Sequence, residues 1–131
     1  MFVLDASAAV DLLLETQAGA QWRDRVMDPG QSLHAPHLID IEILSALRRW
    51  AARGELTPDA ARQAAMRLSA MRIVRYGHLL LLPRVWELRL NVTTYDAAYL
   101  ALAETLGAPL LTSDTRLSRS HGHNARIVLL R

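Results

Sequence analysis

Short apolar runs alternate along this chain with stretches in which apolar residues recur every three or four positions. Val3 and Leu4 read as a short buried strand, and Ser7 to Leu14 as a helix, because Val10, Leu13 and Leu14 fall at helical spacing. A second helix is expected over Gln17 to Met27, ended by the turn-forming Asp28-Pro29-Gly30. Leu33 to Ala35 reads as a second strand. Pro36 then opens a long helix, from about His37 to Arg53, with Leu38, Ile41, Leu44, Ser45 and Leu47 as its apolar stripe and Gly54 as its stop.

The second half repeats the alternation. Thr57-Pro58-Asp59 predicts a helix start, with Thr57 as N-cap and Pro58 at the first helical position, running to about Ala70. Ile73 to Val74 reads as a third strand, and Leu79 to Leu90 as helical, with its regular part beginning near Pro83. Thr94 to Leu106 is a helix stopped by Gly107, and Leu110 to Thr112 and Ile127 to Leu129 are two final strands. No repeat, linker or low-complexity tract interrupts this order, so residues 1–131 are expected to form one domain. Strands separated by helices imply an α/β fold with a parallel sheet covered on both faces, since a parallel crossover needs a helix-length connection.

Composition narrows the setting. A chain of 131 residues that is 51% hydrophobic can bury a core of its own. The absence of cysteine excludes disulfide scaffolds and cysteine-ligated zinc. Asp5 and Asp11 break the first apolar stretch, which removes a signal peptide or membrane span there and predicts a cytoplasmic protein. All 15 basic residues are arginines, the formal net charge is +2, and the guanidinium fork suits phosphate, so a polyanionic partner is compatible with the balance.

Four acids stand where apolar segments end or helices begin. Asp5 closes the first strand, Asp114 follows Leu110-Leu111-Thr112 by two residues, Glu42 lies between Ile41 and Ile43, and Asp96 occupies the first turn after Thr93 and Thr94. Each also has a purely structural use: Asp5 as an N-cap, Asp96 as a complement to the helix dipole, Glu42 as an ion-paired surface residue, Asp114 as a turn residue. Their joint placement is more telling. In open parallel sheets ligands gather beyond the carboxyl ends of the strands, and if the first and fourth strands are neighbours, about 4.8 Å apart, Asp5 and Asp114 reach that crevice together. Two carboxylates about 5 Å apart repel by roughly 3 kcal/mol at an effective dielectric near 20, so four invite a divalent cation. All-oxygen ligation favours Mg²⁺ or Mn²⁺, and such an ion supports phosphodiester hydrolysis.

Three blocks carry a family likeness: VLDASAAV, PHLIDIEILSALRR around Glu42, and TTYDAAYLALAETLGAPLLTSDTRL around Asp96 and Asp114. With the total length, they make the chain resemble the PIN-domain ribonucleases over essentially its whole extent, and more narrowly the VapC-type toxins of toxin–antitoxin modules. The resemblance implies a PIN-like, Rossmann-like sheet of order 3-2-1-4-5 and a Mg²⁺- or Mn²⁺-dependent endoribonuclease. It further implies an RNA substrate, a homodimer and a small cognate VapB-like antitoxin. The family's acidic set falls on Asp5, Glu42, Asp96 and Asp114, with Asp5 and Asp96 as the surest metal ligands and Asp114 and Glu42 completing the shell directly or through water. Thr112 matches a recurrent hydroxyl that orients the substrate phosphate or an acidic neighbour, and Ser7 is assigned a similar part.

Other residues are read as structural. Asp40 lies about 200° around the helix from Glu42 and is placed outside the pocket. Asp11 and Glu15, spaced i, i+4, are read as a solvated face, His121 and His123 as a polar loop, and Trp22, Trp50 and Trp86 as core or interface anchors. Arg48, Arg49 and Arg116 are the arginines nearest the acidic motifs and the candidates for RNA phosphate contacts. A receiver domain or a haloacid-dehalogenase-type phosphatase needs a lysine that this chain lacks. The remaining alternative is a non-catalytic PIN module that binds RNA or a protein partner.

Overall fold

A computed structural model describes all residues from Met1 to Arg131. The elements follow in the order β1 (Phe2–Leu4), α1 (Ala6–Leu14), α2 (Gln17–Val26), β2 (Leu33–Pro36), α3 (Ile39–Ala52), α4 (Pro58–Ala70) and β3 (Ile73–Tyr76). A single 3-10 turn (Leu79–Leu81) leads into α5 (Leu82–Glu87), followed by α6 (Thr94–Leu106), β4 (Leu110–Thr112), α7 (Thr115–Ser118) and β5 (Ile127–Leu129). The five strands form one sheet of order β3-β2-β1-β4-β5, parallel at every pairing. This is the α/β, PIN-like arrangement that the sequence led us to expect.

Register sets the site. Val3 pairs with Leu110 and Leu4 with Leu111, so Asp5 and Thr112 leave the sheet side by side at its carboxyl end. The strand order reverses between β1's two neighbours, β2 and β4, and the crevice of an open sheet opens at such a point. Beneath it lies a continuous core in which Val3, Leu4, Leu110 and Leu111 are buried together with Ile39, Ile43 and Leu100.

The long helix α3 differs from its expected stripe. Ile39, Ile43 and Leu47 are its buried residues, while Ile41 is 70% exposed and Leu44 and Ser45 are also at the surface. Ile39, Ile43 and Leu47 recur every four residues and share one side. Ile41, two residues from either of the first two, is turned about 200° away. Apolar residues occupy both sides of α3, so periodicity alone gave the wrong phase.

Candidate active site

Asp5 is the first residue after β1 and also the N-cap of α1. Its Oδ1 accepts hydrogen bonds from the Ala8 amide at 2.9 Å and the Ser7 hydroxyl at 2.7 Å. Its Oδ2 accepts from Thr112 Oγ1 at 2.5 Å. The capping use and the site use are therefore compatible in one side chain. A carboxylate offers about four acceptor positions, so three bonds fix its orientation and leave one direction open.

Thr112 is wholly buried. Besides donating to Asp5, its hydroxyl accepts the Asp114 amide at 3.0 Å, so one oxygen fastens two acids from different strands. Of the two roles given to it from sequence, the structure shows the hydroxyl holding an acidic neighbour. Ser7 is similarly committed, for it donates to Asp5 and accepts the Ser113 amide at 2.9 Å.

Asp96 enters from the first turn of α6, where the Thr93 hydroxyl caps its amide at 3.1 Å. Asp114 caps α7, its Oδ1 accepting the amides of Arg116 and Leu117 at 2.7 and 3.3 Å. Glu42 comes from α3 and accepts a 2.6 Å hydrogen bond from the Tyr99 hydroxyl. All four acids, together with Ser7, line one cavity of about 680 Å³.

The electrostatics of the cavity oppose its own charge. Burial pushes the carboxyl of Asp5 above the usual range, against hydrogen bonds that favour its ionised form, and the charge of Asp96 adds to the rise. Burial likewise raises Glu42, with the charges of Asp96 and Asp5 contributing, and raises Asp96, with Asp114 contributing. The Tyr99 phenol is raised too, by burial first and then by its bond to Glu42, so it stays a donor at neutral pH. Arg116 supplies positive charge at the mouth, reaching Asp96 Oδ2 at 3.2 Å and Asp114 Oδ2 at 3.3 Å. No three carboxylate or imidazole side chains already converge into a metal-binding cluster. The donor set is nonetheless all oxygen and suits Mg²⁺ or Mn²⁺ better than zinc.

The readings of the neighbouring residues divide. Asp40 does lie apart, forked onto Arg75 at 2.6 and 2.7 Å. Asp11 is no solvated residue: it lines the cavity and accepts from Ser113 Oγ and from Thr16 Oγ1. Only Glu15 is at the surface, paired with Arg23. The clue was available, since Asp11 follows Ser7 by four residues and so shares its helix face. Tyr99, three residues after Asp96 on α6, was missed for the same reason, and Ser113 and Tyr95 join the lining by adjacency to Asp114 and Asp96. Arg49 and Trp50 also line the cavity, whereas Arg48 does not. Trp22 and Trp50 pack against the core, and Trp86 stands 68% exposed with Arg89 stacked 4.6 Å from its ring centre. His123 bonds Ser120 within its loop, away from the cavity.

Comparison with known proteins agrees with this fold. The PIN domain family matches residues 2–121. Ribonuclease VapC12 of Mycobacterium tuberculosis is 41% identical over 130 residues, spanning 99% of each chain. Ribonuclease VapC9 of the same organism is 42% identical over 118 residues, covering 90% of this chain and 89% of its own. Among solved structures, PAE2754 from Pyrobaculum aerophilum superposes with a TM-score of 0.69 at 26% identity, over 96% of this chain and 81% of that one. The fold is also that of Mycobacterium tuberculosis VapC20, a Sarcin-Ricin loop cleaving toxin, with a TM-score of 0.66 at 15% identity over 90% of this chain and 93% of that one. The chain therefore belongs to the PIN-domain family, as one of its VapC-type ribonucleases.

Proposed function

We propose that this protein is a Mg²⁺- or Mn²⁺-dependent endoribonuclease that hydrolyses RNA phosphodiester bonds as the toxin of a VapBC-like toxin–antitoxin module. The observation that carries the reading is the meeting of Asp5, Glu42, Asp96 and Asp114 around one cavity in a chain 41% identical to Ribonuclease VapC12. Asp5, Asp96 and Asp114 are the residues to hold the ion, with Glu42 completing the acidic set. Bound there, a divalent cation offsets carboxylate repulsion, activates water and neutralises charge growing on a phosphoryl oxygen.

The chain's own residues prepare for that ion. Thr112 and Ser7 fix the Asp5 carboxylate before anything binds, so little orientational freedom is lost on ligation. Tyr99 holds Glu42 by one oxygen and leaves the other free. Arg49, on the cavity wall, is placed to meet an RNA phosphate. A cognate VapB-like antitoxin, homodimerisation and cytoplasmic action complete the reading. Leu79, Leu80, Trp86 and Leu90, all exposed on one stretch of chain, are apolar area that an assembly would cover. No helix is long and apolar enough to cross a membrane.

The test is cleavage of RNA by the purified protein. Activity should require Mg²⁺ or Mn²⁺ and vanish with chelator. Asp5→Asn should lower it by at least about a hundredfold while leaving the fold intact, because asparagine still caps α1. Cleavage by that variant without metal would sink the assignment. A wild type that binds RNA yet cuts nothing with either ion would instead be a binding module.

A further inference from the structure

Arg116 is the only cation bonded to the acids of the cavity, and its position is unusual for a substrate-binding arginine. One nitrogen, Nη2, lies 3.2 Å from Asp96 Oδ2 and 3.3 Å from Asp114 Oδ2. The guanidinium thus spans two of the carboxylates assigned above to the metal, from different elements. Its backbone is held firmly, since the Arg116 amide donates to Asp114 Oδ1 at 2.7 Å in the first turn of α7. The side chain is free to leave: it is 71% exposed, against 21% and 32% for its two partners. Nothing else holds the guanidinium, whereas Arg75 and Arg84 are each forked onto a carboxylate through two nitrogens.

We infer that Arg116 is a tethered counter-ion, which neutralises Asp96 and Asp114 while the site holds no metal, gives way to the divalent ion, and then presents its guanidinium to an RNA phosphate. The inference rests on the metal-dependent reading above and adds a second task for the same side chain. A dication placed between Asp96 and Asp114 would repel the guanidinium, and both acids would lose their need of it. The displaced side chain stays at the mouth because α7 holds its backbone, and the anion nearest to it there is the one that the ion has drawn in. A fork of guanidinium donors on a phosphate makes a stronger pairing than the single nitrogen now shared between two carboxylates.

Two measurements on the full-length protein test the hand-over. The first is Mn²⁺ titration followed by the loss of the free-ion electron paramagnetic resonance signal, comparing wild type, Arg116→Gln and Arg116→Lys. Removing the competing cation should tighten Mn²⁺ binding by roughly three- to tenfold in Arg116→Gln, the scale of one or two exposed ion pairs, while Arg116→Lys stays near wild type. The second is binding of a short single-stranded RNA to the Mn²⁺-loaded proteins, read at mixing times too short for cleavage. Arg116→Gln should bind RNA more weakly, and its log–log salt dependence should be shallower by about one phosphate contact. Unchanged or weaker Mn²⁺ binding in Arg116→Gln overturns the inference and leaves the metal-dependent reading standing. Tighter Mn²⁺ binding with unchanged RNA affinity overturns it too, because the arginine would then compete without handing over. Absence of Mn²⁺ binding in wild type itself would remove the inference together with the reading beneath it.

Discussion

Three of the five acids lining the cavity are held with their carboxyls raised, and burial is the leading cause in each. That shift carries a sign for stability. A carboxyl whose folded value lies above its unfolded one binds its proton more tightly in the native state, so stability is lost as pH rises through the window between them. For Asp96 the window opens near its ordinary value of 3.8 and closes at the raised folded value. In chelator, urea melts of wild type and Asp96→Asn should therefore diverge as pH rises above 3.8, with wild type losing ground and the difference levelling off above the raised folded value. The substitution leaves α6 capped, since Thr93 supplies the cap. A wild type that gained on the variant with rising pH would mean instead that the Asp96 charge serves the helix dipole. The same residue scale explains why a hydroxyl matters here. Thr112 joins Asp5 to Asp114 through one oxygen, a contact that sequence indicates only as one of two possible roles.

Between elements, the site depends on how closely α1 and α2 approach. A Cβ on Gly19 would stand 2.0 Å from the backbone carbonyl oxygen of Asp11 and 2.9 Å from the amide nitrogen of Leu12. Backbone cannot yield as a side-chain tip can, so Gly19→Ala must push α2 off α1 near an acid that lines the cavity. A loss of about 3 kcal/mol is expected, at the upper end of ordinary overpacking, and chemical denaturation would read it. Full wild-type stability in that variant would mean that the helices can slide apart at no cost. What sequence could and could not reveal also divides at this scale. Thr57-Pro58 and the Thr93 to Gly107 pair mark α4 and α6 to the residue, because caps are local chemistry that needs no partner. The phase of α3 was not legible, since Ile41 and Leu44 are as apolar as Ile39 and Ile43, and only packing decides which pair turns inward. The four-residue α7 escaped notice because it is too short to show a period. Asp114 was picked out there as an acid after a strand, though its capping of that helix was not. The acids themselves were legible because each sits at an element boundary, where the chain's pattern changes. Asp11 and Tyr99, in helix interiors, gave no such break.

For the whole molecule, overall charge and local charge point in opposite directions. The chain carries a formal net charge of +2, which draws a polyanion toward it, yet its central cavity is lined by five acidic side chains, Asp5, Asp11, Glu42, Asp96 and Asp114. A phosphate approaching that cavity meets repulsion that Arg49 and Arg116 offset only in part, and the protein itself is destabilised by the same crowding of charge. On the proposed metal-dependent reading a divalent ion would relieve both, and folding and metal binding would then be linked. At a concentration one hundred times its dissociation constant, an ion that binds only the native state adds about 2.7 kcal/mol. For a domain of this size each kcal/mol moves the melting temperature by roughly 3–5 °C. Mn²⁺ should thus raise the wild-type melting temperature by about 10 °C over the chelated protein, and Asp5→Asn, which still caps α1, should lose most of that rise. An equal rise in both proteins would place the ion elsewhere on the surface. No rise in wild type at saturating Mn²⁺ would leave the raised carboxyls to be neutralised by protons and Arg116 alone, and would sink the metal-dependent reading.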